Sequence, residues 1–392
     1  MIRRISPKIL LTLLTALILG LQAKAQSDKV RGAEPFDFWV DHLPYNSFYH
    51  ITALDDRTFA ATENSLLIVH QGEYERLSRI NGLTGSNITA LASDENSQTV
   101  WIGYANGRLD IWENGTIKSI VDIVETPSYT GLKQVNDFAF FNSKAYVATD
   151  FGVVEFDIAT RLAGRTLLLG ANYSAIPIQS FDISPDGTLC AYSPSNASNF
   201  YIGDVNTALP NWTQRPYKLF LDNSNPDHIT YFPIEERFIF ACDDLTSGTY
   251  TLAMGKAGGN WSVEPYPSPY QSAAGWQGIQ DLQVKGNYLI ITRDFNVFMR
   301  QSTAKNTFSD SLNISGALFA PGVLRPTAAT MLADQSIHIA NLRSGVLQVN
   351  TNGTTSRYHP SSPYSASAFK LRAYGNGRNG SYSNPGGDGG PS

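Results

Sequence analysis

The chain has 392 residues, of which 16% are charged, and its formal net charge is −5 with neutral histidines. Residues 1–25 contain four basic residues and no acidic one, so the remainder carries 25 basic against 34 acidic residues and a net charge of −9. Nucleic-acid binding requires a clustered basic face, and this balance therefore argues against that class of protein.

Residues 1–25 are predicted to form a secretory signal peptide. Basic residues at positions 3, 4 and 8 precede the apolar stretch Ile9–Leu21, and Ala23 and Ala25 form a small-x-small cleavage site. The apolar stretch is shorter than the roughly 20 residues that a transmembrane helix needs. We therefore expect an exported chain without a membrane span in its mature part.

One pattern recurs seven times between residues 39 and 358. Each copy contains three apolar strands separated by turns, and the middle strand usually closes on a small residue; the clearest copy is Asn81–Gly115. The aligned closing positions are Ala61, Gly103, Ala148, Ala191, Ala241, Ile291 and Ala340. A period of about 46 residues with three or four strands is typical of a propeller blade. The sequence therefore predicts an all-β, seven-bladed β-propeller over residues 37–358.

The copies follow one another along the chain with short connections. They occupy Phe48–Gly72, Asn81–Gly115, Val135–Thr160, Ile178–Val205, His228–Met254, Ile279–Thr303 and Leu324–Gly353. The connections are expected to hold the fourth, outermost strands, for example Tyr74–Leu77 and Ile117–Ile120. No helix is predicted after the signal peptide.

Two features concern the ends of the ring. The strand that completes the seventh blade is expected either from Asp37–Val40 or from a segment beyond Ser392. Residues 359–392 are rich in Gly, Asn, Ser and Pro and bury too little apolar surface to fold alone. They are interpreted as a linker or as the start of a further domain.

The two cysteines, Cys190 and Cys242, lie in neighbouring copies. An exported chain permits a disulfide. Their offsets from the aligned positions make both side chains point the same way around the ring, however, because side chains alternate along a strand. Two buried thiols are therefore favoured over a disulfide.

Motifs that carry chemistry are lacking. The six histidines have no zinc-ligand spacing, and the sequence contains no nucleophile elbow, phosphate loop or dinucleotide fingerprint. The starts of the strands show no ordered repeat of His, Arg, Asp or Glu that would place a reactive cluster at the central channel. We therefore predict no catalytic residue, no cofactor and no metal site.

Two groups of aromatic residues have different interpretations. Trp101 and Trp112 lie on strands and are expected to pack between blades. Tyr266, Tyr270 and Trp276 lie in a long Pro-containing loop before the sixth copy. Such loops bind sugars or protein surfaces by stacking, and these three residues form the candidate binding loop.

Two segments are more specific than general propeller sequence. The stretch RLSRINGLTGSNITALASDENSQTVWIGYANGRLDIW, Arg76–Trp112, resembles the repeat of sensor propellers on bacterial two-component regulators. Together with Lys133–Asp157 and with FWVDHLPYNSFYHITA, Phe38–Ala53, it resembles the N-terminal propeller of the PorZ family of the type IX secretion system.

The resemblance implies a non-enzymatic binding scaffold at the cell surface or outer membrane, or in the periplasm. PorZ proteins act beside the PorU sortase and outer-membrane β-barrel partners, which anchor cargo to anionic lipopolysaccharide. They also have a second propeller and a C-terminal β-sandwich, for which this sequence has no counterpart. The alternatives are an extracytoplasmic sensor propeller of a two-component regulator and, less favoured, a propeller lyase or glycosidase.

Overall fold

The computed structural model describes residues 43, 45–196, 199–207, 211–216, 224–244, 249–256, 263–265, 279–305, 307–315 and 324–358. The chain divides into two compact units, Met1–Asp41 and His42–Ser392, and all described residues belong to the second. The predicted signal peptide and residues 359–392 lie outside the described residues, as do Asp37–Val40 and the candidate binding loop.

The described strands form seven four-stranded antiparallel sheets, each from one contiguous stretch of chain. Sheet 1 contains β1 (His50–Leu54), β2 (Arg57–Ala61), β3 (Leu66–His70) and β4 (Glu73–Leu77). Sheet 2 contains β5 (Ile88–Asp94), β6 (Thr99–Tyr104), β7 (Leu109–Glu113) and β8 (Thr116–Ile120). Sheet 3 contains β9 (Val135–Phe141), β10 (Lys144–Thr149), β11 (Gly152–Asp157) and β12 (Ala163–Leu167).

The remaining four sheets follow the same order. Sheet 4 contains β13 (Ser180–Ile183), β14 (Thr188–Tyr192), β15 (Asn199–Asp204) and β16 (Thr213–Pro216). Sheet 5 contains β17 (Ser224–Phe232), β18 (Arg237–Asp244), β19 (Thr249–Lys256) and β20 (Val263–Pro265). Sheet 6 contains β21 (Ile279–Lys285), β22 (Tyr288–Arg293), β23 (Asn296–Ala304) and β24 (Thr307–Ser315). Sheet 7 contains β25 (Pro326–Met331), β26 (Ile337–Asn341), β27 (Gly345–Val349) and β28 (Thr355–Tyr358).

The first strands of consecutive sheets contact one another, and β25 contacts β1, so the sheets close a ring around a central channel. One apolar cluster of described residues lies between each sheet and the next, including the pair formed by sheets 7 and 1. This arrangement confirms the predicted all-β propeller architecture.

Burial along each sheet explains the sequence pattern. All six residues of β6 are buried, because this strand packs on both faces, whereas three of the five residues in β8 are exposed. The aligned small residues close the middle strands where the next sheet packs most tightly. At Gly103, a Cβ atom would collide with the side chain of Val135 on β9.

The junction of sheets 7 and 1 shows how the ring of sheets closes. The outer strand of sheet 7 is β28, so neither segment that the sequence offered for this strand supplies it. The junction is joined instead by packing and hydrogen bonds: Phe48 N–H donates to the carbonyl of Asn341 (3.2 Å), and Thr58 Oγ1 lies 2.8 Å from His338 Nδ1.

A short helix corrects the expectation of a helix-free chain. Helix α1 (Asp122–Glu125) makes a single turn between sheets 2 and 3, and its Ile123 packs into the cluster between them. Three 3₁₀ turns, Ala171–Tyr173, Pro194–Asn196 and Pro233–Glu235, also occur. A four-residue helix has too little length for helical periodicity to show in the sequence.

Candidate functional site

The first strands of the seven sheets line a cavity of about 320 Å³ in the central channel. The lining residues come from near the N-terminal ends of these strands, and we call this cavity the cup. Its polar lining residues are Tyr49, His50, Thr89, Gln134, Asn136, Asp137, Gln179, Ser180, His228, Gln280, Asp281, Gln283 and Thr327.

Several cup side chains tie one sheet to the main chain of the next. Each of three donates a hydrogen bond to a carbonyl at the start of the following sheet: Thr89 Oγ1 to Val135 (2.6 Å), Asn136 Nδ2 to Ile178 (2.9 Å) and Thr327 Oγ1 to Phe48 (2.6 Å). The last of these crosses from sheet 7 to sheet 1. These polar residues therefore contribute to holding the ring closed.

Carboxyl groups on three first strands accept hydrogen bonds from the next sheet. Asp137 Oδ2 accepts from Ser180 Oγ (3.1 Å) and from the N–H of Phe181 (3.2 Å). Asp182 Oδ2, beside the cup, accepts from the N–H of Tyr231 (2.7 Å). Asp281 accepts from the main chain of Ala329 and from Gln283 Nε2 (3.0 Å).

The environment of these carboxyls raises their pKa values. Burial is the largest cause and raises the pKa of Asp137 and of Asp281 to about 7 and that of Asp182 to about 6. The charge of Asp182 adds to the effect on Asp137, while the hydrogen bonds oppose it. A carboxyl group that is enclosed by protein loses the solvation of its charged form, so the neutral form persists to higher pH.

Two histidines face the same cavity with the opposite shift. Burial lowers the pKa of His50 and of His228 to about 4, and His50 contributes a further lowering for His228. Both rings are therefore neutral near pH 7, and each presents one donor and one acceptor nitrogen.

The lower part of the channel is bridged from one side to the other. Gln283 Nε2 on β21 donates to the carbonyl of Ile51 on β1 (2.9 Å). Lys285 Nζ donates to the carbonyl of Ala53 (3.1 Å) and pairs with Glu95 (2.9 Å). These side chains reach past sheet 7 on the side of the cup away from its mouth, which lies at the N-terminal ends of the first strands.

The shifted carboxyls predict a pH-dependent difference between the protein and an Asp281→Asn variant. Because the folded-state pKa of Asp281 is raised to about 7, its stabilising contribution is complete below about pH 4 and is lost as the pH rises through 7. The variant does not titrate there, so its free energy of unfolding relative to the unmodified protein should rise by about 2–3 kcal/mol between about pH 5 and about pH 8.

Urea unfolding at the two pH values measures this difference, and effects of the histidines cancel because both proteins contain them. Asp334→Asn is the matched control: hydrogen bonds from Ser336 lower the pKa of that carboxyl, so it is ionised in the folded and unfolded protein at both pH values and its difference should not change between them. An Asp281→Asn difference that is the same at both pH values would contradict the assignment.

The NGLTG segment, residues 81–85, is part of the sequence resemblance. It lies in the loop that connects sheets 1 and 2, and hydrogen bonds hold it in place. Asn81 Oδ1 accepts from Ser78 N–H (2.8 Å), which shapes the loop after β4. Thr84 donates from its N–H to Asp110 Oδ2 (2.7 Å), and Tyr104 O–H donates to the same oxygen (2.6 Å). These residues therefore hold the loop against β7, and none of them lines the cup.

The structure tests the predictions for the two tryptophans and for one of the two cysteines. Trp101 and Trp112 are buried in the clusters on either side of sheet 2, which confirms their packing role. Cys190 is a buried free thiol, and burial raises its pKa. The side chain of Cys242 lies outside what the structure describes, so its state stays a prediction.

The sequence interpretation missed the cup. It expected no grouping of His or Asp at the channel, whereas the ring brings together His50, Asp137, His228 and Asp281. The available signal was a polar residue just before each first strand or near its start.

Within the described part of the chain, no three His, Cys, Asp or Glu side chains are placed to hold a metal ion. None of the described helices is long and apolar enough to cross a membrane.

Residues 58–211, from sheet 1 through sheet 4, match the family model described as TSS9, PorZ, N-terminal beta-propeller domain. This stretch of the propeller is similar to the PorZ N-terminal type, and the match covers less than half of the chain. No curated protein matches the chain at a significant level.

Three solved structures are similar to this chain. PorZ of Porphyromonas gingivalis, described as an essential bacterial surface component of the type IX secretion system, is 12% identical with a TM-score of 0.39; the match covers 82% of this chain and 53% of that one. The chain thus spans about half the length of that PorZ.

Two further propellers match with higher TM-scores. Kuenenia stuttgartiensis hydrazine synthase is 15% identical with a TM-score of 0.54, covering 84% of this chain and 100% of the other. U3-55K is 13% identical with a TM-score of 0.55, covering 79% and 93%. At such identities these two show the fold alone.

Proposed function

We propose that this chain is a non-enzymatic, seven-bladed propeller module of a type IX secretion complex, acting outside the cytoplasm. The observation that carries the proposal is the match of residues 58–211 to the PorZ N-terminal propeller. The solved PorZ is described as a surface component of that system. Export through residues 1–25 and a place at the cell surface or outer membrane are part of the proposal.

The contacts of the channel carboxyls support a role without catalysis. Asp137, Asp182 and Asp281 each accept at least one hydrogen bond from the main chain of the next sheet. These contacts join neighbouring sheets, which is a structural task that binding propellers need equally.

The proposed partners are a PorU-like sortase and outer-membrane β-barrel proteins, with anionic lipopolysaccharide as the molecule to which cargo is joined. The module would act as a scaffold that holds these partners in place. An affinity tag inserted after Thr303 tests this assignment, because the turn between β23 and β24 is exposed and lies on the face away from the cup mouth.

Co-purification from the native outer membrane is expected to recover the sortase and its β-barrel partners together with anionic lipopolysaccharide. Recovery of a membrane-bound kinase instead would favour the two-component sensor. Recovery of none of these, with the protein free in the periplasm, would contradict the proposal.

The cup-mouth face is proposed as the contact face. Connections on that face carry most of the large exposed apolar side chains in the described part of the chain: Tyr49, Ile80, Leu132, Tyr173 and Phe295. Exposed apolar groups on one face are typical of protein interaction sites.

Substitutions on the two faces of the ring test whether the cup-mouth face is the contact face. Leu132→Asp combined with Phe295→Asp is expected to reduce sortase recovery by about fivefold or more. Leu162→Asp is the matched control, because Leu162 is 65% exposed but lies in the turn between β11 and β12 on the opposite face. Equal recovery from both variants would contradict the choice of face.

A further inference from the structure

The cup has an uneven distribution of charge. Its described lining includes the carboxyls of Asp137 and Asp281 and no Lys or Arg side chain. The nearest cation below it, Lys285, pairs with Glu95 and with the carbonyl of Ala53. Asp182 is the charged neighbour of Asp137 on the adjacent strand. An anion entering the cup would therefore meet carboxyl groups and no compensating positive charge.

Two imidazole rings and one carboxyl group in the same cavity can still form hydrogen bonds to a ligand. Among the described contacts, the imidazoles of His50 and His228 make no hydrogen bond, although the neighbouring polar groups are largely engaged. A carboxylate offers about four acceptor positions. Asp281 uses its oxygens for Gln283 and for the main chain of Leu282 and Ala329, which leaves one position open.

The size and shape of the cavity limit what can enter. A volume of about 320 Å³ lies at the lower end of the range for small-ligand pockets. Gln283 and Lys285 reach from sheet 6 to sheet 1 and occupy part of the channel. The cup thus accommodates one small group that enters from the mouth, such as the end of a long side chain.

We propose that the cup binds a single cationic group, a primary ammonium or a guanidinium, held by the carboxyls of Asp137 and Asp281 and by the free ring nitrogens of His50 and His228. An ammonium carries three donors and no acceptor, and it matches a lining of carboxyls and imidazole acceptor nitrogens. The group would come either from a free amine or from a Lys or Arg side chain of a partner.

Cation binding has a thermodynamic consequence that neutral ligands lack. A nearby positive charge favours the ionised carboxyl. Since burial holds the pKa of Asp137 and of Asp281 at about 7, binding near neutral pH should release protons. Binding of an uncharged ligand of the same shape should release none.

Isothermal titration calorimetry of the full chain tests the proposal. The probes are n-butylammonium and methylguanidinium, with n-butanol as the uncharged isostere of the first, in two buffers of different ionisation heat near pH 6.5. The cations are expected to bind with proton release and at least about tenfold more tightly than the alcohol. Equal affinity for the alcohol, or binding of none of the probes at millimolar concentrations, would overturn it.

Variants locate the site on the same protein. Asp281→Asn is expected to weaken n-butylammonium binding about tenfold, and Asp334→Asn, outside the cup, should leave the affinity unchanged. Equal weakening by both variants would overturn the assignment to the cup. If Asp281→Asn folds poorly, Asp137→Asn and the comparison of amine with alcohol on the unmodified protein still decide the question.

A third comparison distinguishes the two sources. Short peptides with an internal Lys or Arg should bind more tightly than the free amine if the natural ligand is a partner's side chain, and more weakly if it is a free amine. This proposal is independent of the secretion role, since co-purification of the sortase would succeed or fail whether or not the cup binds a cation.

Discussion

Replacing Trp101 with Ala is expected to lower the free energy of unfolding by about 3–5 kcal/mol. The side chain is fully buried between sheets 2 and 3, and its Nε1–H donates to Thr99 Oγ1 (3.1 Å). Its ring lies 6.1–6.3 Å from the rings of Phe138, Phe140 and Phe156. Truncation removes these contacts and leaves a cavity that rigid sheets cannot fill.

Equilibrium urea unfolding followed by far-ultraviolet circular dichroism measures the loss. Leu132→Ala is the control, because Leu132 is 78% exposed and its truncation should change stability by less than about 0.5 kcal/mol. A Trp101→Ala loss as small as that of the control would mean that the interface between sheets 2 and 3 is not packed as described.

Asp110→Ala is expected to cost about 2–4 kcal/mol. Asp110 is fully buried, and it accepts hydrogen bonds from Thr84 N–H (2.7 Å), Thr84 Oγ1 (2.5 Å) and Tyr104 O–H (2.6 Å). Removing the carboxyl takes the shared acceptor away from three donors, of which Tyr104 O–H is buried, and the NGLTG loop loses its attachment to β7.

Asp110→Asn separates the loss of these bonds from the loss of volume. The amide keeps one acceptor oxygen and nearly the same shape, so its loss of stability should be less than half that of Asp110→Ala. Amide hydrogen exchange at Thr84 reports the local effect, with faster exchange expected in the Ala variant. Unchanged exchange at Thr84 would mean that Asp110 does not hold the loop against β7.

The repeat was predictable because each copy runs from buried inner strands to a more exposed outer strand, as β6 and β8 show. The outer strands expected at Tyr74–Leu77 and Ile117–Ile120 are Glu73–Leu77 and Thr116–Ile120, each one residue longer at its start. Small residues such as Gly103 marked the ends of middle strands, since a neighbouring sheet leaves no room for a side chain there.

Closure of the ring could not be predicted in the same way. The outer strand of sheet 7 is β28, which has three exposed residues and one partly buried one. It therefore has no apolar pattern to mark it, and the sequence instead offered Asp37–Val40 or a segment beyond Ser392.

The cup was missed for a related reason. His50 and His228 are far apart in sequence, and only the closing of the ring brings them to one cavity. A polar residue at the start of a strand gives no sign of whether it faces the channel or a neighbouring sheet. Ties such as Asn136 to the carbonyl of Ile178 depend on that geometry.

The secretion role is tested most directly by deleting the gene in the native host and measuring how type IX cargo is processed and where it accumulates. The account predicts that cargo keeps its C-terminal secretion signal and is no longer attached to the cell surface, and that the unmodified chain restores both. Normal processing and attachment of cargo in the deletion strain would contradict it.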